Sequence, residues 1–257
     1  MREALSVVII TRNEEDEIEE CLRSVSWADE IVLVDSHSSD RTVEIARRFT
    51  DRIHQRAFSG FTDQKQWATD RARGPWILNI DADERVPEAL RAEIEAVLEQ
   101  GTSSAGFRIP RLTWYLGRFV RHGTWYPDRK LRLFRKDRGR WTGGSVHESV
   151  AIDGPAGALR NPILHYSFRT LADHFSTIDR FTRLAAEDLA AKGEGGSVLR
   201  LLVHPPATFV KSLILRFGFL DGWRGFLIAA LSARHSYLKY ARVREALRAK
   251  RTRGVER

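Results

Sequence analysis

Three short, almost uninterrupted apolar runs do most to limit what this chain can fold into. They are Leu5-Ser6-Val7-Val8-Ile9-Ile10-Thr11, Glu30-Ile31-Val32-Leu33-Val34-Asp35 and Trp76-Ile77-Leu78-Asn79-Ile80. Runs of this length, apolar on both sides and rich in β-branched residues, read as strands buried on both faces of a parallel sheet. Helical patterns lie between them. Glu15 to Val25 sets Ile18, Leu22 and Val25 on one face, Ser39 or Asp40 can cap a helix to about Phe49, and Thr62 can cap one through Arg73. Ile53 marks a short third strand, and Pro87 opens a further helix. The alternation predicts an open α/β sheet with helices on both faces. Such sheets bind ligands at the carboxyl ends of their strands, so Thr11-Arg12-Asn13-Glu14, Asp35 to Asp40 and Asp81-Ala82-Asp83 are expected on one rim.

Asp81 and Asp83 give that rim a chemistry. In an extended segment residues i and i+2 point to the same side, so both carboxylates can face one ion. Hard cations such as Mg²⁺ take oxygen ligands and keep positions open for substrate phosphates. A strand ending on this pair is therefore a platform for a metal-bound diphosphate, and a solvated turn is the plain alternative.

In order, Ser6 to Glu14, then Val32-Leu33-Val34-Asp35-Ser36 with Ser39-Asp40-Arg41-Thr42, then Leu78-Asn79-Ile80-Asp81-Ala82-Asp83-Glu84 resemble a family 2 glycosyltransferase. Phe61 to Trp67, Val146-His147-Glu148 and Phe219-Leu220-Asp221-Gly222 are similar to the bacterial lipopolysaccharide inner-core β-1,4-glucosyltransferase branch. The resemblance implies a GT-A fold, a UDP-sugar donor carrying a hexose such as glucose, a divalent metal (Mg²⁺ or Mn²⁺) and an inverting displacement. It also implies roles for residues of the rim. Thr11, Asn13 and Glu14 lie where the first loop meets the nucleotide, and Asp35 where a carboxylate receives uracil or ribose. Asp81 and Ala82 lie beside the ribose or a metal-bound water, and Asp83 on the cation. Lys65 is expected to neutralise phosphate charge and His165 to add a metal or phosphate contact.

Displacement at an anomeric carbon needs a group to take the acceptor hydroxyl proton. Asp128, His147 and Glu148 are the candidates, and Glu148 is preferred because Gly143-Gly144-Ser145 makes a small-residue approach to an acid. The family's commoner base is an Asp in a Glu-Asp pair, and no such pair stands beside these candidates. Arg129 and Arg132, in the alternating run Asp128 to Arg135, are expected on a solvated basic face able to meet an anionic acceptor. Trp114, Tyr115, Trp125 and Tyr126 offer either a sugar-stacking wall or core.

Charge divides the chain. Residues 197–257 hold 13 Lys and Arg against 3 Asp and Glu, a net of +10, which leaves −2 for residues 1–196 of the total +8. This predicts a catalytic domain over 1–196 and a basic, amphipathic helical extension over 197–257. In the extension, apolar stretches such as Phe209 to Leu220 are interrupted by Lys or Arg before the ~18 apolar residues of a membrane span are reached. That pattern fits helices lying on an anionic membrane surface, with homo-oligomerisation as a second use; nucleic-acid binding would leave the apolar segment without a purpose. His204-Pro205-Pro206 is expected to break any helix. No signal peptide is expected ahead of the first strand, and Cys21 alone forms no intrachain disulfide, which together fit the cytoplasmic face of a bacterial inner membrane.

The expected activity is hexosyl transfer from a UDP-sugar to a lipid-linked glycan such as lipopolysaccharide core. Polyprenyl phosphate is the alternative acceptor. A nucleotidyltransferase is disfavoured because Thr11-Arg12-Asn13-Glu14 holds no glycine for a phosphate loop. A non-enzymatic basic binder of membranes or nucleic acid is the alternative of another class.

Overall fold

A computed structural model of the chain describes residues 2–143 and 148–255. The elements run β1 (Leu5–Thr11), α1 (Ile18–Ser24), β2 (Glu30–Asp35), α2 (Thr42–Ala46), β3 (Ile53–Gln55), α3 (Phe61–Arg71), β4 (Trp76–Asp81) and β5 (Glu84–Arg85). Then come α4 (Glu88–Gln100), β6 (Gly106–Tyr115), β7 (Arg118–Phe119), β8 (Asp128–Arg135), β9 (Gly139–Gly143), β10 (Glu148–Ile152), β11 (Ala156–Ala158) and β12 (Ile163–Phe168). The chain continues with α5 (Leu171–Ala191), α6 (Val198–Val210) and α7 (Trp223–Val255).

Two compact units result, Met1–Leu112 with Asp128–Tyr166, and Thr113–Pro127 with Ser167–Arg257. Their borders differ from the change of composition at 196/197. In the first unit the sheet order begins β3-β2-β1-β4, all parallel, and β8 and β6 follow antiparallel. The three apolar runs are thus β1, β2 and β4, side by side. Their alternate side chains serve two cores. Leu5, Val7, Ile9, Leu33, Leu78 and Ile80 pack with Ile18, Cys21 and Leu22 of α1 and Leu90 and Ile94 of α4. Val8, Val32, Val34 and Ile77 pack on the other face with Ala68 of α3, Phe134 and Trp141. Both faces are covered, which is why the strands read as continuous apolar runs rather than alternating ones.

Local starts differ from the sequence expectation. Helix α1 begins at Ile18, not Glu15, and α2 ends at Ala46, short of Phe49. Helix α3 begins at Phe61, so Thr62 lies inside its first turn; the preceding Gly60 enters at φ 122°, a conformation open to glycine.

In the second unit β7 pairs with the end of β6, Trp114 opposite Phe119. Thr170 caps α5 through a reciprocal pair with Asp173, 3.2 Å from Thr170 Oγ1 to Asp173 N and 2.7 Å from Asp173 Oδ2 to Thr170 N. Tyr115 and Trp125 form a cluster with Phe168 and His174, so of the two alternatives for the aromatics, wall or core, these two take the core one. Helix α6 runs through Pro205 and Pro206 instead of breaking there. The missing N–H groups free the carbonyls of Leu201 and Leu202 on a largely exposed helix, where water can take them. A π turn over Lys211–Leu215 and a 3₁₀ turn over Gly218–Asp221 then lead to α7, where a Cβ at Gly225 would stand 1.7 Å from the Gly218 carbonyl oxygen.

Candidate active site

The candidate site is built on the carboxyl ends of β2, β1 and β4 in the first unit. Register places Asp35 beside Thr11 and Asp81 beside Ile10, so the three loops do share one rim. The first two loops are tied together. Asn13 Oδ1 accepts from Ser39 N at 2.8 Å, Asn13 N donates to Ser38 Oγ at 2.9 Å, and Glu14 N donates to Thr42 Oγ1 at 2.8 Å. Asp35 is fully buried and receives Ser38 N at 2.9 Å and the Ser38 hydroxyl. Asp40 Oδ1 accepts from Thr42 N at 3.0 Å, but the residue at the N-cap of α2 is Arg41, not Ser39 or Asp40, and it makes no side-chain cap. Thr11 Oγ1 is buried with no hydrogen-bond partner among the described residues.

Glu14 stands in an acidic setting. Burial, then the charges of Asp83, Glu17, Asp40 and Asp81, push its carboxyl up to about 7.

Asp81 is held from two sides. Its Oδ1 lies 3.0 Å from Lys65 Nζ and its Oδ2 2.8 Å from Arg132. Burial pushes its carboxyl up, but the Arg132 and Lys65 charges outweigh that and hold it well below the usual carboxylate range. Arg132 also donates to Glu84 Oε1 at 2.9 Å and to Asn79 Oδ1 at 2.9 Å. The arginine expected on a solvated face is therefore buried beneath the rim, because β8 pairs with β4 and turns it inward. Arg129 is likewise engaged, donating to the Leu159 carbonyl at 3.0 Å.

Asp83 meets His165. Antiparallel pairing of β5 with β12 sets His165 opposite Glu84, Tyr166 N donates to the Asp83 carbonyl at 2.9 Å, and His165 Nε2 lies 3.1 Å from Asp83 Oδ2. Burial raises the Asp83 carboxyl, and the His165 charge and hydrogen bond reverse this to a net lowering. A carboxylate and an imidazole are a donor set that fits a divalent cation. Among the described residues no group of three or more His, Cys, Asp or Glu converges, so such a cation would take its other ligands from substrate oxygens and water, as Mg²⁺ commonly does. The side chain of Ala82 packs in the core, leaving only its backbone to the rim.

Lys65 is not on a solvated helix face. It is 2 % exposed and bridges Asp81 to Glu148, 3.1 Å from Glu148 Oε1. The β9–β10 hairpin brings Glu148 there, because Trp141 docks the hairpin on α3. Trp141 N donates to Gln66 Oε1 at 2.9 Å, its Nε1 donates to Thr69 Oγ1 at 3.1 Å, and Lys65 Nζ sits 5.1 Å from its ring centroid. Of the other base candidates, Asp128 is paired with Arg111 at 2.7 Å, and His147 lies outside the described residues along with Gly144, Ser145 and Val146. Arg132 and Glu84 are the site residues whose place sequence reasoning missed. The acid directly after Asp81-Ala82-Asp83 and a basic residue at an inward strand position were the available signals.

A parallel sheet with an Asp-x-Asp at the end of its fourth strand, continued by antiparallel strands and flanked by helices, has the GT-A architecture of sugar-nucleotide-dependent glycosyltransferases. The family description "Glycosyl transferase family 2" matches residues 6–159, and the chain belongs to that family of enzymes. It is 31 % identical over 260 residues to the lipopolysaccharide core biosynthesis glycosyltransferase LpsC of Rhizobium meliloti, covering 96 % of this chain and 94 % of that one. An uncharacterized glycosyltransferase of Rickettsia typhi is 28 % identical, covering 94 % of this chain and 87 % of its own. Among solved structures, S. aureus TarS 1–349 in complex with UDP-GlcNAc is similar at 14 % identity and a TM-score of 0.49, covering 97 % and 92 % of the two chains.

Proposed function

We propose that this glycosyltransferase moves a hexose, glucose by its resemblance, from a UDP-sugar to a lipid-linked glycan of the lipopolysaccharide-core type, with inversion and with a divalent cation. The observation that carries the reading is the convergence of Asp81, Asp83, His165, Lys65 and Glu148 at one strand end. The core-glycan acceptor is supported by the likeness to LpsC, which spans nearly the whole chain.

In this reading Thr11, Asn13, Glu14 and Asp35 line the nucleotide side, with Asp35 meeting uracil or ribose. Asp83 and His165 would hold the cation, which supplies charge neutralisation to the departing diphosphate. Asp81, its two oxygens fixed by Lys65 and Arg132, holds the rim in register and meets the ribose or a bound water. The acceptor hydroxyl attacks the anomeric carbon, the bond from that carbon to the diphosphate oxygen breaks, and Glu148 accepts the hydroxyl proton. Lys65 orients Glu148 through its 3.1 Å contact.

Calorimetry with UDP and a panel of UDP-sugars, with and without Mn²⁺, tests the donor side. Metal-dependent UDP binding that Asp83→Ala weakens by about tenfold or more, about 1.4 kcal/mol, is expected; no binding in the presence of metal would overturn the reading. Glu148→Gln is expected to keep UDP affinity and lose transfer to a core-oligosaccharide acceptor. Unchanged transfer would remove Glu148 as the base.

A further inference from the structure

The second unit carries an apolar face that no described segment covers. Of sixteen exposed large apolar side chains among the described residues, twelve fall between Val198 and Phe226; scattered exposure would not concentrate in one short segment. Leu199, Leu202 and Val203 lie on one side of α6, and the same side continues at Val210 and Ile214 with helical spacing. The turns toward α7 add Phe219, and α7 itself begins with Trp223, each more than half exposed.

Charge on this segment has one sign. Between residues 198 and 226 the Lys and Arg residues are Arg200, Lys211 and Arg216, all exposed, and Arg224, half-buried and donating to the Leu116 carbonyl at 2.7 Å. The lone acid, Asp221, is buried and occupied by Arg121 N at 3.0 Å and His122 N at 2.8 Å. The exposed face therefore combines Leu, Phe and Trp with positive charge alone. That is the composition of helices held in a bilayer interface by apolar burial and by attraction to anionic headgroups.

We propose that α6, the following turns and the start of α7 dock in the plane of an anionic lipid bilayer. A span is the obvious competitor, because Val198–Leu215 is long and apolar enough to cross a membrane by length and composition. Packing argues for the plane. The other side of α6 is fastened to α7, with Tyr240 Oη 3.3 Å from His204 Nδ1 and the Phe209 and Phe226 rings 5.7 Å apart. Arg244 further donates to the Gly196 carbonyl at 2.9 Å. A span would strip α6 from these partners and carry Arg200 and Lys211 into or across the hydrocarbon; lying flat keeps every contact and leaves both cations at the headgroups.

Co-sedimentation of the full chain with phosphatidylcholine vesicles, and with vesicles that also contain phosphatidylglycerol, tests this without any sugar donor, so its outcome is independent of the transfer reading. Partition about tenfold or more stronger onto the anionic vesicles, falling at high salt, is expected. Phe219→Glu with Trp223→Glu, and separately Lys211→Glu with Arg216→Glu, should each weaken it about tenfold with the near-ultraviolet circular dichroism unchanged. Absent or charge-indifferent partition of the unsubstituted chain overturns the proposal, whatever the variants do. So does resistance to alkaline carbonate extraction, which marks a span, or a dimer that the apolar substitutions dissolve in a chain without vesicle affinity.

Discussion

The Arg132 guanidinium lies 2.8 Å from Asp81 and 2.9 Å from Glu84, so a single buried cation joins the first acid of the Asp-x-Asp to the acid that follows the pair. Removing one partner of a buried ionic network leaves an uncompensated charge, at a cost of about 3–5 kcal/mol. Arg132→Met is therefore expected to lower the unfolding free energy by that order. Arg132→Met with Glu84→Gln should cost less than the sum of the two single changes, as a double-mutant cycle in urea would read. Additive costs would mean the pair is not coupled.

Trp141 is predicted to act on catalysis from a distance. Trp141→Phe keeps a ring but loses the donor to Thr69, and should reduce stability by about 1 kcal/mol. Because the hairpin presents Glu148 to Lys65, transfer should fall more than UDP affinity does. Parallel loss of both, measured by turnover and calorimetry, would assign Trp141 a role in folding only.

Lys65→Met should lower transfer about tenfold or more while the fold persists, since Asp81 and Glu148 are each partly exposed and can be rehydrated. Thermal unfolding and turnover on the same preparation separate the two effects. Full turnover would show that Glu148 needs no orienting cation.

His174 makes the second unit acid-sensitive. Its Nδ1 lies 2.9 Å from the Tyr115 hydroxyl, and burial, with a smaller contribution from the His235 charge, pushes it down to about 4 from 6.5. A histidine held neutral in the fold takes up protons more readily when unfolded. Its contribution is intact above about 6.5 and is lost progressively as pH falls toward 4. His174→Gln should flatten the fall in melting temperature between those values; an unchanged pH profile would place the acid sensitivity elsewhere.

Asp221, itself buried, accepts two part-buried backbone N–H groups, from Arg121 and His122. Asp221→Ala removes both hydrogen bonds, at about 1 kcal/mol for each, whereas Asp221→Asn keeps one acceptor oxygen. The alanine variant should be the less stable in urea titration, and equal loss would show that the charge rather than the acceptance matters.

By itself the sequence determined the parallel α/β core and the rim. The runs at Leu5, Glu30 and Trp76 carry their burial in their own composition, and a strand's end is set by its last apolar residue. Asp35, Asp81 and Asp83 were legible for that reason. Tertiary structure alone decided which charges meet. Lys65 reaches Glu148 only because Trp141 docks a hairpin on α3, Arg132 is buried only because β8 pairs with β4, and His165 finds Asp83 only because β12 pairs with β5. Those partners lie 83, 51 and 82 positions apart in the chain, and a side chain's type states its charge without stating what will face it. The same reason explains α6: the two prolines argued for a break, and packing of one helix side against α7 carried the helix through them.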